Sequence, residues 1–314
     1  MRQIWDMLVA FVRETWNLRL YLSVAILLVI SITLNYLFDF QDTYIRSLGS
    51  FWVKWLAMFL FMLMPFLVVC GILYAAKFRR HWITSRDFWI CTLVGFAILG
   101  FDRSFTGFAS WIDHLNRVDF YFYFRILSKA TSLLTLVLPL LIFYWLYEQP
   151  KDPLKTFYGL RLGKTKLGPY FKLLAVASMF IILGSFMGDL SGYYPRYAVS
   201  GGVQYAHAHE LPFYVPVLMY ESAYGSNFIG VELFFRGYLI LAFTRTLGPY
   251  AVLAMVPAYA FLHFGKPLPE TISSVFGGYI LGVITYNTRN IYGGIIVHVG
   301  IAWLMELMGY LQNL

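Results

Sequence analysis

Apolar residues in this chain run together instead of alternating with polar ones. Near-continuous apolar stretches fall at roughly 20–38, 51–76, 88–109, 125–147, 169–189, 213–243, 249–264, 271–288 and 291–311, against the roughly 20 residues a helix needs to cross a bilayer. Backbone polar groups in lipid must pair within their own segment, so stretches of this kind are helices. A membrane β-barrel would show shorter, alternating segments. The pattern therefore predicts an all-α polytopic membrane protein with about eight to nine transmembrane helices. The seventh and eighth stretches are shorter and match bilayer thickness less well. Ahead of the first stretch, "MRQIWDMLVAFVRETWNLR" mixes Trp, Leu, Val and Phe with Arg and Glu. It reads as an amphipathic segment lying on the membrane, or as a cytosolic extension of the first span. No cleavable signal peptide is expected.

Composition agrees with this picture. Of 314 residues, 60% are hydrophobic and 13% charged, where a soluble domain averages about 25% charged. Aromatic residues make up 20%, which suits rings at headgroup level and in a packed bundle. The net charge of +8 sits mainly in short loops, so it speaks for membrane topology and not for nucleic acid. Lys77, Arg79, Arg80 and Arg86 share one loop; Lys151, Lys155, Arg161, Lys164 and Lys166 share another. Two spans separate these loops, which places both on one side, the cytoplasmic one by the positive-inside rule. Arg245 and Arg289 fall on that side as well. Asp39, Asp42 and "SGYYPRYAVSGGVQYAHAHE" at 191–210 fall on the other. The N-terminus is then cytoplasmic, and the expected location is a bacterial inner membrane. Cys70 and Cys91 lie in apolar stretches and read as small buried hydrophobes. The chain divides into an amphipathic segment (1–19), N-terminal transmembrane helices (20–168) with no buried ionisable pattern, and a polar-studded core (169–314).

Charges at membrane depth cost about 2.5–3.5 kcal/mol each on insertion scales and mark function. Glu232 and Arg236, in "GVELFFRGYL", lie four apart and share a helical face. His263 closes another span in "AYAFLHFGKP", and His298 opens the last in "GGIIVHVGIAWLMEL". Glu306 follows His298 on the same face, and Glu221 precedes Glu232 nearer the outer surface. A carboxylate between two imidazoles can deprotonate a water, with the histidines steadying the oxyanion. The same three groups can also bind a divalent metal, which the first chemistry does not require. A plainly structural reading stands beside both: the ion pair neutralises itself, and each histidine is packed and hydrogen-bonded. A proton-coupled transporter would use the three groups as a relay, but neither an internal repeat nor a matching pair of broken spans supports it. His207, His209 and Glu210 in the outer loop read as solvated, not as metal ligands. No nucleotide, serine-protease or zinc-protease motif is present.

The C-terminal segment, roughly 215–312, resembles the CPBP family (type II CAAX prenyl endopeptidases and the bacteriocin-processing or immunity proteins also called Abi proteins). Its pattern has Glu-Glu-x-x-x-Arg, Phe-x-x-x-His and His-x-x-x-Asn or Asp on successive helices. "VELFFRG", "YAFLH" and "HVGIA" follow it in order, with Glu232, Arg236, His263 and His298 kept. The resemblance implies an intramembrane endopeptidase that hydrolyses a membrane-embedded or lipidated peptide by activated water, without a cofactor. It assigns catalytic roles to Glu232 as base, to Arg236 as its orienting partner, and to His263 and His298 as water and oxyanion ligands. Three positions depart from it. Val231 stands where the family has its base, Ala302 where it has Asn or Asp, and Tyr259 where it has Phe. Two accounts follow. Either Glu232, Glu306 or Glu270 supplies the missing carboxylate, or the protein is a non-catalytic relative serving as membrane scaffold or immunity factor.

Overall fold

The computed structural model describes residues 2–152, 155–161 and 166–313; Lys164 of the second basic loop lies outside them. Ten principal helices follow one another. They are α1 (Arg2–Thr15), α2 (Leu18–Phe38), α3 (Phe51–Ala75), α4 (Arg86–Ser104), α5 (Arg117–Lys151), α6 (Gly168–Gly184), α7 (Tyr214–Leu247), α8 (Tyr250–Leu262), α9 (Leu268–Thr288) and α10 (Tyr292–Gln312). Side-chain caps begin several of them. Asn17 accepts from the Leu20 amide, Ser85 from that of Phe88, and Asn116 from those of Val118 and Asp119, each satisfying donors that a first turn leaves open. No strand occurs among the described residues.

By length and composition six helices can cross a membrane: α2, α3, α5, α7, α9 and α10. A seventh counts if α6 and the segment Gly188–Ala208, bent by 95° from it, form one span. The predicted helices are present, but the expected eight to nine crossings are reduced. Besides α6, two helices fall short of the measure. α4 carries Arg86, Asp87, Asp102 and Arg103 at its ends. α8 has 13 residues and is about 20 Å long, short of the roughly 30 Å hydrocarbon core.

α8 is the centre of the molecule. Twelve of its residues, Tyr250–Phe261, are buried, as an all-round apolar helix must be. It packs against α3, α7 and α9. Gly248, at φ +58°, turns the chain from α7 into α8 with the Arg79 guanidinium against it, so a side chain there would be strained and crowded. α8 starts at this turn and is short, and His263 follows at its C-terminal end. α7 packs on α5 and α10, α10 on α6, and α1 on α9. Phe11 of α1 meets the rings of Tyr279 and Tyr286 edge-on. The amphipathic segment thus turns part of its apolar face to the protein, while Trp5 remains exposed.

The basic loops meet at one end of the bundle. Lys151 pairs with Asp87 at 2.8 Å, Arg245 with Glu148 at 2.7 Å, and Arg289 donates to Thr244. The N-terminal helices do hold buried ionisable groups, contrary to the sequence reading. Glu148 is 1% exposed, accepts twice from Arg245 and receives the Cys91 thiol at 3.3 Å. Its position at the end of a long helix beside a basic loop made it read as surface. Replacing Arg245 by Met leaves that carboxylate unpaired, and a loss of about 3 kcal/mol is expected in unfolding from detergent.

Candidate active site

Glu232 lies in α7 immediately before a π-helical stretch, Leu233–Ala242, where sequence reading gives an unbroken α-helix. Such wide turns recur at functional sites because they re-aim side chains. The Glu232–Arg236 pair still closes, with Nη1 of Arg236 3.2 Å from Oε1 of Glu232 and both side chains out of contact with solvent. The same Oε1 lies 2.8 Å from Nδ1 of His298 on α10. An ionised carboxylate only accepts, so Nδ1 carries the hydrogen and Nε2 keeps its lone pair. α10 reaches Glu232 because residue 294 is glycine: a Cβ there would lie 2.5 Å from Oε2.

His263 caps α8. Its Nδ1 donates to the Tyr259 carbonyl at 3.0 Å, and its own carbonyl accepts from the Thr271 hydroxyl at 2.8 Å. Its Nε2 is therefore also an acceptor. Tyr259 joins the two histidines. Its hydroxyl lies 3.4 Å from Nε2 of His298, its ring centre is 4.6 Å from that of His263, and the Arg236 guanidinium sits 3.8 Å over its face. Nε and Nη1 of Arg236 are buried with no hydrogen-bond acceptor among the described residues.

These groups face a cavity of about 720 Å³. Arg236, Tyr259, His263 and His298 line its polar end, with Lys266 and Glu270 beyond them, paired at 2.7 Å. Burial alone would lower the Lys266 ammonium; the adjacent Glu270 carboxylate turns the shift upward and keeps the charge. The rest of the wall is mainly apolar, with Tyr194, Tyr224 and four serines among it, and comes largely from α6, α9 and α10. Phe180 of α6 and Phe276 of α9 line it yet are 69% and 65% exposed, so it opens sideways between these helices, where lipid would lie.

The structure thus brings Glu232, Arg236, His263 and His298 into one neighbourhood, as expected, but distributes them differently. Glu232 is not among the residues that line the cavity; it is fully buried beside His298. Among the described residues no group of three or more side chains placed to hold a metal occurs, and Glu232 meets His298 at Nδ1 and not across a shared site. Glu306 accepts from the backbone amides of Arg196 and Tyr197 and so ties down the outer segment. Glu270 accepts from Tyr194 and Lys266. Neither moves into the position of Val231, which packs in the core. Ala302 lies on the cavity wall. His209 pairs with Asp119 at 2.6 Å, away from this site. Sequence reasoning passed over the Tyr259 hydroxyl. Its place four residues before His263, on the same helical face, was the available signal.

Residues 215–304, spanning α7, α8, α9 and most of α10, match the family model described as type II CAAX prenyl endopeptidase Rce1-like. The helical core is similar to this family. No curated protein and no solved structure matches the chain. The Rce1-like segment contains every polar group at the inner end of the cavity, and α6 outside it completes the wall.

Proposed function

We propose that the Rce1-like core is the active site of an intramembrane endopeptidase that hydrolyses a membrane-embedded or lipidated peptide. The observation that carries this reading is the Glu232–His298 pair, a carboxylate-oriented imidazole on the wall of a cavity open to lipid. A peptide entering between α6 and α9 brings its scissile carbonyl to the polar end. Nε2 of His298 takes a proton from water as the oxygen attacks, and Glu232 steadies the imidazolium formed. Nε2 of His263 accepts the second water hydrogen and fixes the line of attack. Arg236 balances the Glu232 charge. His298 then returns its proton to the leaving amine as the C–N bond breaks. The basic end of the bundle faces the cytoplasm in this reading.

The expected result is cleavage of membrane-spanning or lipidated peptides by purified protein in lipid vesicles. It should fall by about 10³-fold or more in His298→Ala and by about 10²-fold in His263→Ala. Equal cleavage by both variants and the parent would sink the assignment. A second reading rests on Val231 and Ala302, which offer no acid or amide where the family pattern has them. In it the same cavity binds a membrane peptide without cutting it, as a scaffold or immunity factor would. Peptide retention with no cleavage by the parent protein decides for that reading.

A further inference from the structure

We infer that the Tyr259 hydroxyl is a further catalytic residue, the hydrogen-bond donor to the oxyanion; this rests on the hydrolytic reading above. The argument is a count of donors. Both histidines have spent their only N–H: His298 on Glu232 and His263 on the Tyr259 carbonyl. As neutral rings they present lone pairs to the cavity, and the N–H that His298 gains during attack is the proton it must pass to the leaving amine. Ala302 offers nothing, and Lys266 is held by Glu270. The Tyr194 hydroxyl is spent on Glu270, with Tyr224 paired to it, and Ser273 and Ser274 donate to their own helix, so the donors left beside the histidines are the Tyr259 O–H and the Arg236 guanidinium. The guanidinium lies flat over the tyrosine ring at 3.8 Å, partly shielded by it from a substrate. The hydroxyl oxygen accepts from Arg236, which leaves its O–H to donate, on the cavity wall and beside the proposed base.

Its contact with His298 explains how it changes partner. At rest the O–H points weakly at Nε2, 3.4 Å away. When Nε2 takes the proton of the attacking water, it becomes a donor and can no longer accept from the hydroxyl. In the same step the C–O bond forms and the carbonyl π pair moves onto oxygen. The O–H rotates to that oxygen, the one strong acceptor newly made. The cation over the ring makes the phenol a better donor throughout. Collapse of the intermediate breaks the C–N bond, passes the His298 proton to the amine and releases the hydroxyl to its resting contact. The ring is well placed for this: Phe235 packs on it at 5.2 Å and His263 at 4.6 Å, so only the O–H needs to turn.

The test compares the parent chain with Tyr259→Phe, in vesicles, on two readouts. One is cleavage of a transmembrane or lipidated peptide. The other is binding of that peptide and of its phosphinate analogue, whose tetrahedral anionic group imitates the intermediate. The expected result is a kcat about 10²-fold lower in Tyr259→Phe with KM unchanged. The phosphinate preference over the amide should fall by a similar factor, and thermal unfolding should not change. Unchanged kcat in Tyr259→Phe, with an active parent, overturns the inference and leaves the protease reading standing. If the parent cleaves nothing but prefers the phosphinate through Tyr259, the donor role stands and the protease reading fails. If it neither cleaves nor prefers the phosphinate, both are overturned.

Discussion

Glu232→Gln should destabilise the protein by about 3–5 kcal/mol and, on the proposed mechanism, abolish cleavage. Glu232 and Arg236 are both 0% exposed, and each is the other's only opposite charge within 4.0 Å among the described residues. Removing the carboxylate strands a guanidinium in an apolar core. The damage to chemistry is separate. An amide no longer fixes the His298 proton on Nδ1, because its NH₂ can face the ring as readily as its oxygen. For a carboxylate that orients a catalytic histidine, such a change costs about 10⁴ in kcat. A double variant separates the two effects. Glu232→Gln with Arg236→Met removes both charges and keeps the volume, so stability should recover most of the loss. Activity should not recover. Unfolding in a denaturing-detergent titration reports the first quantity and peptide cleavage the second. A double variant as unstable as the single one would mean that the pair is not the source of the cost.

Gly294→Ala should be the next most harmful change, out of proportion to one methyl group. The added Cβ would lie 2.5 Å from Oε2 of Glu232, a distance that forces movement. Oε2 itself has no partner, but it can move only by turning a carboxylate whose Oε1 is held by both Arg236 and His298. α10 must then back away from α7, at a cost of about 1–3 kcal/mol, the usual range for overpacking a filled core. The retreat lengthens the Glu232–His298 bond, so cleavage should fall about 10²-fold even where the fold survives. Gly277→Ala on α9, where a Cβ meets nothing within 4 Å, is the matched control and should leave stability close to the parent's.

The sequence makes much of this architecture legible, and its limits have physical causes. Long apolar runs and clustered basic loops gave the helices and brought Arg245, Glu148, Lys151 and Asp87 to one end. Apolar length marked the α8 stretch as short but could not show that it is enclosed by protein, because a helix buried in protein and one buried in lipid have the same composition. The Glu–Arg spacing gave their ion pair, and motif order gave the two histidines. Spacing could not reveal that Glu232 faces inward, since this depends on the wide π turn and on how closely α10 approaches at Gly294. Tyr259 was taken as a mild replacement for an apolar ring. The worth of its hydroxyl depends on both histidine N–H groups being engaged elsewhere, which is a property of three packed helices and of no single segment.

The sideways opening between α6 and α9 also determines how such a reaction would be measured. A peptide that enters from lipid is sampled in two dimensions, so its effective concentration is a mole fraction of the bilayer and not a molarity. Adding inert phospholipid at fixed protein and peptide would slow turnover, though nothing in the aqueous phase has changed. Two substrates with the same affinity for the cavity would be ranked by how strongly they partition into the membrane. Water alone would obey bulk kinetics, and the two reagents would meet only at the polar end of the cavity.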